Sequence, residues 1–331
     1  MLISKSCITC AWRKKPPRWD SPSTHAKWLL SGELYLDVPR FNAENTSDNV
    51  MPMYMPELEQ VETINNELSS DEIRLIDVHA HIDSEEFDKD RDEVIERARR
   101  SNVIGIINSA LGPKYIQRAL EIEERYKDYV FLCFGLEPYN LNDEDFNETI
   151  NLIKRFKDKI YAVGEVGLDY YWISDHAQRE IMKERFIRFI ELAKELHKPL
   201  VIHSRSAGKY AIQVLIENDA EKVLMHAFDG KASVVRRGVE AGYFFSVPTS
   251  VVHSKQKQKM VKVLPLENMM LETDSPVLSP NKDKRNEPAN VIYSLEKVAE
   301  IKNFQERMWL ELRRRMQLGF LDFHSRFKKD F

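Results

Sequence analysis

Short β-rich segments alternate with amphipathic helical segments from Ile73 onward, and this alternation limits the possible fold more than any other feature of the sequence. The candidate strands are Leu75–Val78, Val103–Ser109, Val130–Leu136, Ile160–Glu165, Leu200–His203, Val223–His226, Tyr243–Val247 and Met269–Glu272. Between strands four and five, apolar residues recur at the spacing of one helix face, from Met182 to Leu196. Eight strand–helix units within roughly 200 residues predict an α/β fold, a (β/α)8 TIM barrel. A doubly wound open sheet is the alternative, but no glycine-rich fingerprint follows the first strand.

Composition and charge exclude several classes of protein. The chain has 331 residues, 43% of them hydrophobic and 31% charged, and no long uncharged apolar run, which excludes a transmembrane helix and makes a membrane partner unexpected. A net charge of -4 argues against a surface coated in positive charge, so nucleic acid would have to bind a local basic patch. Three cysteines are too few for a disulfide scaffold. We therefore expect an intracellular protein of the cytoplasm or nucleus.

The chain divides into three regions that differ in composition and in the periodicity of their apolar residues. Residues 1–71 carry scattered prolines, asparagines and acids with no sustained period, which predicts a mostly disordered N-terminal extension. Its first nineteen residues contain lysine and arginine but no aspartate or glutamate, so organelle targeting stays open. Residues 72–302 hold the predicted barrel, and residues 303–331 form an atypical C-terminal segment.

Polar residues fall at the ends of the candidate strands, where barrel enzymes carry their catalytic groups. Strand one runs into Asp77-Val-His79-Ala-His81, and residues two apart in an extended chain point the same way, so both histidines face one site. The other candidates at strand ends are Glu165, His203, His226 and Asp274. A single strand-end histidine is more often a hydrogen-bonded core residue than a ligand, so the inference depends on all six lying on one rim. Imidazole and carboxylate bind divalent metals, and six such groups are enough for two ions. Asp77 is expected to anchor the histidine pair rather than to bind metal.

The strings around these residues resemble the TatD family of metal-dependent deoxyribonucleases, a branch of the metal-dependent hydrolase superfamily. The matching strings are Asp77–Ile82, Gly164–Asp169, Pro199–Arg205, His226–Gly230, Leu271–Pro276 and Arg285–Pro288. The similarity covers about residues 75 to 302, and the strings occur in the order that the family has them. The resemblance implies hydrolysis of phosphodiester bonds in DNA, often from the 3′ end.

The same resemblance implies a role for each candidate residue. One ion would be held by His79, His81, Glu165 and Asp274, and the other by Glu165, as a bridge, with His203 and His226. Asp274 and Glu165 are the expected catalytic residues, Asp274 as the acceptor of a proton from water. Phosphate of the substrate would be contacted by Arg205, Arg285 and Asn286. Magnesium, manganese and zinc are all candidates for the two divalent cations, and the histidine-rich set favours zinc or manganese.

Two features depart from the family pattern. Gly135-Leu-Glu137-Pro138 has an acid where the family has a histidine, and a negative charge there would weaken the binding of an anion or change the substrate preference. The family's last helix contains a Thr-Thr-Gln-Asn-Ala string, whereas this chain reads Trp309-Leu-Glu-Leu-Arg313. We hypothesise that a frameshift or a misjoined exon replaced the segment after Lys302.

Two other functions compete with the nuclease. A small-molecule amidohydrolase would use the same barrel, but such enzymes often bridge their metals with a carboxylated lysine, and the corresponding residue here is Glu165. A catalytically dead binding protein is suggested only by the unusual C-terminal segment. For the nuclease, the low positive charge predicts contact with a short single-stranded end rather than with a long duplex.

Overall fold

A single sheet of eight parallel strands forms the centre of the protein in the computed structural model, which describes residues 74–303. The strands are β1 (Leu75–Ala80), β2 (Val103–Leu111), β3 (Val130–Gly135), β4 (Ile160–Gly167), β5 (Leu200–His203), β6 (Val223–Met225), β7 (Phe244–Pro248) and β8 (Met269–Glu272). Each strand pairs in parallel with the next one along the chain. The predicted α/β TIM barrel is confirmed, and the predicted strand bounds differ from the observed ones by at most two residues at an end.

One α-helix follows each strand within the described residues. The helices are α1 (Arg91–Arg100), α2 (Pro113–Arg125), α3 (Asp143–Arg155), α4 (His176–Glu195), α5 (Gly208–Glu217), α6 (Ala232–Glu240), α7 (Lys255–Val263) and α8 (Val291–Lys302). Short 3-10 helices cover Glu85–Phe87, Thr249–Val252, Leu266–Asn268 and Pro288–Asn290. The side chains of Asn142 and Asp175 accept backbone N–H bonds at the starts of α3 and α4. These caps satisfy N–H groups that would otherwise lack partners and define where the loops before the two helices end.

The barrel closes where the end of β1 meets the chain just after β8. The backbone N–H of Asp274 donates to the carbonyl of His79 at 2.9 Å, and the N–H of His81 donates to the carbonyl of Ser275 at 2.8 Å. Two residues distant in sequence from Asp274 are thereby brought next to it. The closure therefore places His79, His81 and Asp274 side by side on one rim.

Asp77 ties the same two segments together below the rim. Its carboxylate accepts the backbone N–H of Thr273 at 2.9 Å and the hydroxyl of Thr273 at 2.5 Å, and it also accepts the N–H of His79 at 3.3 Å. Asp77 is fully buried. It thus holds the β1 end against the β8 end, as an anchor would.

Two apolar layers support the rim. One cluster contains only strand residues and so fills the barrel interior: Val78, Ile107, Cys133, Ala162, Val201, Leu224 and Met270. The second layer packs the outer face of the sheet against the helices, with buried side chains such as Ile116, Phe186 and Leu295. Each fully buried side chain of this size stabilises the fold by roughly 1.5–3 kcal/mol. The two apolar layers therefore support the polar side chains at the rim.

Several predictions concern residues outside this description. The extension predicted at residues 1–71 lies outside the described residues, and so does the atypical segment predicted at residues 303–331 apart from Asn303. None of the helices within residues 74–303 has the length and apolar character needed to span a bilayer.

Candidate metal centre

All six predicted ligands meet at the rim where the strands end. His79 ends β1 beside His81, Glu165 lies in β4, His203 ends β5, His226 follows β6 and Asp274 follows β8. Apart from His81 and His203, which are partly exposed, the six are buried. Every one of these side chains lies within 3.6 Å of at least one other.

Four of the ligand atoms form a compact cage. The Nε2 atoms of His79 and His81 lie 3.3 Å apart. From these two nitrogens, Glu165 Oε2 lies at 3.2 and 3.6 Å, and Asp274 Oδ1 lies at 3.5 and 3.4 Å. Ligands bound to a tetrahedral ion at about 2.0–2.2 Å are separated from one another by about 3.3–3.6 Å. The cage therefore has the donor chemistry and the dimensions to hold one divalent ion.

The other oxygen of Glu165 faces a second pair of imidazoles. Its Oε1 atom lies 2.5 Å from His203 Nδ1 and 3.1 Å from His226 Nε2. The rings of His226 and His79 stack with their centroids 3.8 Å apart, so the two pairs are adjacent. Among the described residues, two overlapping groups have ligand atoms close enough to share an ion: His79, Glu165 and His226, and His79, His81 and Asp274.

The second pair of imidazoles is oriented by two carboxylates that had no assigned role from sequence. Asp169 Oδ2 lies 2.8 Å from His203 Nε2, and Glu272 Oε2 lies 3.3 Å from His226 Nδ1. Glu272 also accepts the backbone N–H of Ala227 at 2.8 Å. Such outer partners fix the tautomer and orientation of a metal-binding imidazole. Glu272 is the last residue of β8, and this strand-end position is a signal that could have identified it.

Ser109, near the end of β2, orients the imidazoles of His79 and His81 in the same way. Its hydroxyl lies 3.1 Å from His79 Nδ1, and its backbone carbonyl lies 2.7 Å from His81 Nδ1. Both Nε2 atoms are thus directed into the cage. Because serine is uncharged and Ser109 lies within an apolar strand, no sequence pattern marks it as a residue of the site.

A glycine allows β4 and β5 to approach closely at the site. Gly167 has φ of +146°, and a Cβ atom built there would lie 2.1 Å from the carbonyl oxygen of His203. Only glycine fits both the backbone conformation and this close approach. The contact draws the end of β5, and with it His203, against the strand that carries Glu165.

The pKa values of the candidate ligands depend on one another. Burial alone would raise the pKa of Glu165, but the charges of His226 and His203 outweigh it and hold that pKa well below its usual range. Burial, followed by the nearby charge of His226, lowers the pKa of His79. The carboxylates around His81, His203 and His226 outweigh burial and raise the pKa of all three imidazoles, those of His81 and His203 to about 9. Glu165 and His79 are therefore held in the forms that bind a metal, whereas the other three imidazoles must release a proton to do so.

The rim opens into a cavity of about 450 Å³. Besides ligand residues, its lining includes Glu137, Tyr139, Trp172, Arg205 and Lys257. A polar centre at the bottom of a partly apolar cavity is the usual form of a small-molecule or nucleotide site. The cavity therefore leads from the surface of the described residues to the cage.

Comparisons with known proteins agree with this geometry. A family model described as TatD related DNase matches residues 76–312, well over half of the chain. The chain belongs to the TatD-related DNase family. It is 41% identical over 251 residues to a human protein named Deoxyribonuclease TATDN3, in an alignment covering 72% of this chain and 92% of the human one. The predicted family resemblance is confirmed.

More distant relatives extend the TatD similarity to bacteria. A Bacillus subtilis protein named as the uncharacterized metal-dependent hydrolase YabD is 37% identical over 236 residues, covering 69% of this chain and 91% of its own length. The crystal structure of YJJV, a TatD homologue from Escherichia coli, superposes with a TM-score of 0.68 at 25% identity. That superposition covers 75% of this chain and 96% of the bacterial one.

In this TatD-family chain, two predicted phosphate contacts do not reach the cavity. The Arg285 guanidinium binds both carboxylate oxygens of Asp90, at 2.9 and 2.6 Å, and lies over the ring of Phe87. Asn286 is fully buried, and its amide N–H groups donate to Thr249, Thr273 and Val277. Neither residue lines the cavity, because both side chains already bind the protein itself. In this structure both side chains therefore hold the loop after β8, and their contact with substrate stays a prediction.

The lysine-rich helix α7 contributes one buried lysine to the cavity. Lys257 is only 8% exposed and lines the cavity. Its ammonium group donates to the carbonyls of Ala227 and Phe228, the latter at 2.9 Å. Lys257 therefore supports the loop that follows His226.

Glu137, the acid that replaces the family's histidine, lies at the cavity wall. Burial raises its pKa. The Glu137 carboxyl therefore keeps its proton to a higher pH than an ordinary glutamate does.

Proposed function

We propose that this protein is a metal-dependent deoxyribonuclease that hydrolyses phosphodiester bonds in DNA with water activated between two divalent cations. The observation that carries the proposal is the position of Glu165, whose two carboxylate oxygens face two separate pairs of imidazoles. A carboxylate with this geometry suits a bridge between neighbouring ions. Membership of a family described as TatD related DNase, and a human relative named as a deoxyribonuclease, support DNA as the substrate.

The proposed ligands divide into two sets. One ion is held by His79, His81, Glu165 and Asp274, and the second by Glu165, His203 and His226. When bound, such a pair of ions lowers the pKa of a water molecule and stabilises the charge that develops on the phosphoryl oxygens. The second set has three protein ligands and so leaves positions open for water or substrate. Histidine-rich ligands favour zinc or manganese over magnesium.

Asp274 is the proposed proton acceptor. Burial would raise its pKa, but the charge of His226 and the bond to His81 lower it, so the carboxylate is ionised at neutral pH. Asp274 also lines the cavity, where an attacking water would lie. A positioned, ionised carboxylate can take the proton from such a water as it attacks phosphorus.

Arg205 is the proposed phosphate contact from the chain itself. It lies at the cavity wall, and its guanidinium carbon lies 3.8 Å from the centre of the Tyr171 ring. A guanidinium held in this way can donate two parallel hydrogen bonds to two phosphate oxygens. Acidic residues including Glu137, Asp169 and Asp229 share the lining, which disfavours an extended phosphate track. We therefore propose the end of a single strand as substrate, and the resemblance to the family favours exonucleolytic cutting from the 3′ end.

The test is cleavage of a 5′-labelled single-stranded oligodeoxynucleotide by protein reconstituted with zinc, manganese or magnesium. We expect products that shorten from the 3′ end and no cleavage of a circular single strand. His203→Ala should lower activity by more than about 100-fold, because a ligand is lost. His253→Ala is the matched control, since His253 is exposed and its imidazole bonds only the carbonyl of Ser279 among the described residues.

Three results would contradict the proposal. Turnover of cyclic amides or lactones without cleavage of the oligonucleotide would assign the site to an amidohydrolase. Purified full-length protein that binds less than one ion per chain would indicate a binding protein. Cleavage of the circular strand would reject exonucleolytic action while leaving the hydrolase intact.

A further inference from the structure

Three large aromatic side chains stand exposed beside the cavity. Tyr139 is 45% exposed, Tyr171 is 57% exposed and Trp172 is 60% exposed. Tyr139 follows β3, whereas Tyr171 and Trp172 follow β4, so two neighbouring loops contribute them. Exposed apolar surface of this kind beside a polar centre typically marks an interaction site.

These rings and Arg205 form one continuous surface, which we call the aromatic rim. The ring centroids of Tyr139 and Trp172 lie 6.3 Å apart, and those of Tyr171 and Trp172 lie 5.1 Å apart. The guanidinium carbon of Arg205 lies 3.8 Å from the Tyr171 centroid and 5.9 Å from that of Trp172. Tyr139, Trp172 and Arg205 all line the same cavity as the metal centre.

The aromatic rim is physically connected to the metal centre through Asp169. One carboxylate oxygen of Asp169 accepts the backbone N–H groups of Tyr171 and Trp172 at 2.9 and 3.0 Å. Its other oxygen contacts His203 Nε2 at 2.8 Å. The rim therefore has a defined position relative to the proposed ligands, as a subsite requires.

The chemistry of the aromatic rim matches a nucleotide. Ring faces can stack on a base, and among residues 74–303 no carboxylate forms an ion pair with Arg205, so its charge is available for a phosphate. A base inside a duplex already has both faces covered, so only an unpaired base can use the rim.

We propose that Tyr139 and Trp172 form a base-stacking subsite for an unpaired nucleotide beside the scissile phosphate, with Arg205 on a phosphate of the same strand. This inference rests on the proposed nuclease function and deepens it. Stacking does not depend on base identity, so the subsite accepts all four bases.

The experiment compares two single-stranded substrates of equal length, one with ordinary bases throughout and one whose last three units are base-free tetrahydrofuran sugars. Trp172→Ala should lower kcat/KM on the ordinary strand by about 5- to 150-fold, the range that one lost stacking contact allows. On the base-free strand, the same variant should match the wild type. Trp172→Phe keeps a ring and should restore most of the loss. Tyr293→Ala, which removes a 44% exposed tyrosine from α8, is the matched control and should have no effect.

The outcomes separate this inference from the proposed function. An equal loss on both substrates would assign Trp172 to folding of the loop and overturn the inference, while the nuclease proposal stands. A change in oligomeric state of Trp172→Ala would assign the rim to a second copy of the chain and also overturn it. If the wild type cleaves neither strand, the nuclease proposal fails. Fluorescence anisotropy of a labelled trinucleotide then tests the rim directly, and equal or absent binding by wild type and Trp172→Ala would reject it.

Discussion

Replacement of Asp169 by asparagine tests whether His203 is held in place as a metal ligand. Asp169 contacts His203 through one oxygen and the N–H groups of Tyr171 and Trp172 through the other. Asparagine keeps one oxygen and can retain the two loop bonds. Its NH₂ group, however, offers no acceptor to His203 Nε2, so the only hydrogen bond lost is the one to the imidazole of His203.

The size of the effect follows from this single lost contact. Removing the outer partner of a metal-binding histidine lowers metal affinity by about 10- to 100-fold. This corresponds to about 1.4–2.7 kcal/mol. Only the ion held by His203 and His226 should be weakened, because the cage around Asp274 does not contact Asp169. We expect the wild type to bind two ions and Asp169→Asn to bind one of them with the reduced affinity.

The assay is a metal titration by calorimetry on full-length protein, together with nuclease activity at limiting and saturating metal. Activity of Asp169→Asn should recover when the metal concentration is raised by the same 10- to 100-fold. Asp229→Asn is the matched control, because Asp229 lines the same cavity and accepts only the N–H of Ser206 among the described residues. Unchanged metal affinity in Asp169→Asn, or an equal loss in both variants, would refute the reasoning.

Four further predictions follow from the same geometry. Glu165→Gln should reduce the metal content from two ions to less than one per chain by elemental analysis, and retention of both ions would reject the bridge. Chelation should lower the free energy of unfolding by about 2.7 kcal/mol for each ion removed, relative to protein with metal at 100 times its Kd, and an unchanged Tm would show that no ion stabilises the folded protein. Gly167→Ala should cost at least about 1 kcal/mol in urea unfolding, because its Cβ would overlap the His203 carbonyl; a smaller cost would show that β5 can shift freely. Burial lowers the pKa of Lys257 from 10.5 to about 8. Between those values the unfolded chain binds more protons, so stability should rise with pH by up to about 3 kcal/mol, and Lys257→Met should flatten that slope in urea unfolding.

Much of the fold and the metal centre could be predicted from local pattern. Alternating strand and helix periods indicate a barrel because parallel strands need a helix between them, and all carboxyl ends of such strands meet on one rim. The strand-end positions of His79, Glu165 and His226 therefore predict that the three side chains meet on that rim. The family strings added the division of the ligands into two sets.

Other features depended on which loops pack side by side, and local pattern does not encode that packing. Arg285 looks like a free cation in the sequence, but the fold places it against Asp90, 195 residues away, where the two charges pair. Lys257 belongs to a lysine-rich helix, yet the chain around Phe228 covers it and supplies carbonyl acceptors. A side chain's partners are set by distance in space, since charge and hydrogen-bond interactions act over a few ångströms regardless of separation along the chain. Local sequence pattern therefore predicts the barrel and the rim that carries the candidate ligands, whereas packing between distant segments sets which charged groups pair with other residues of the protein.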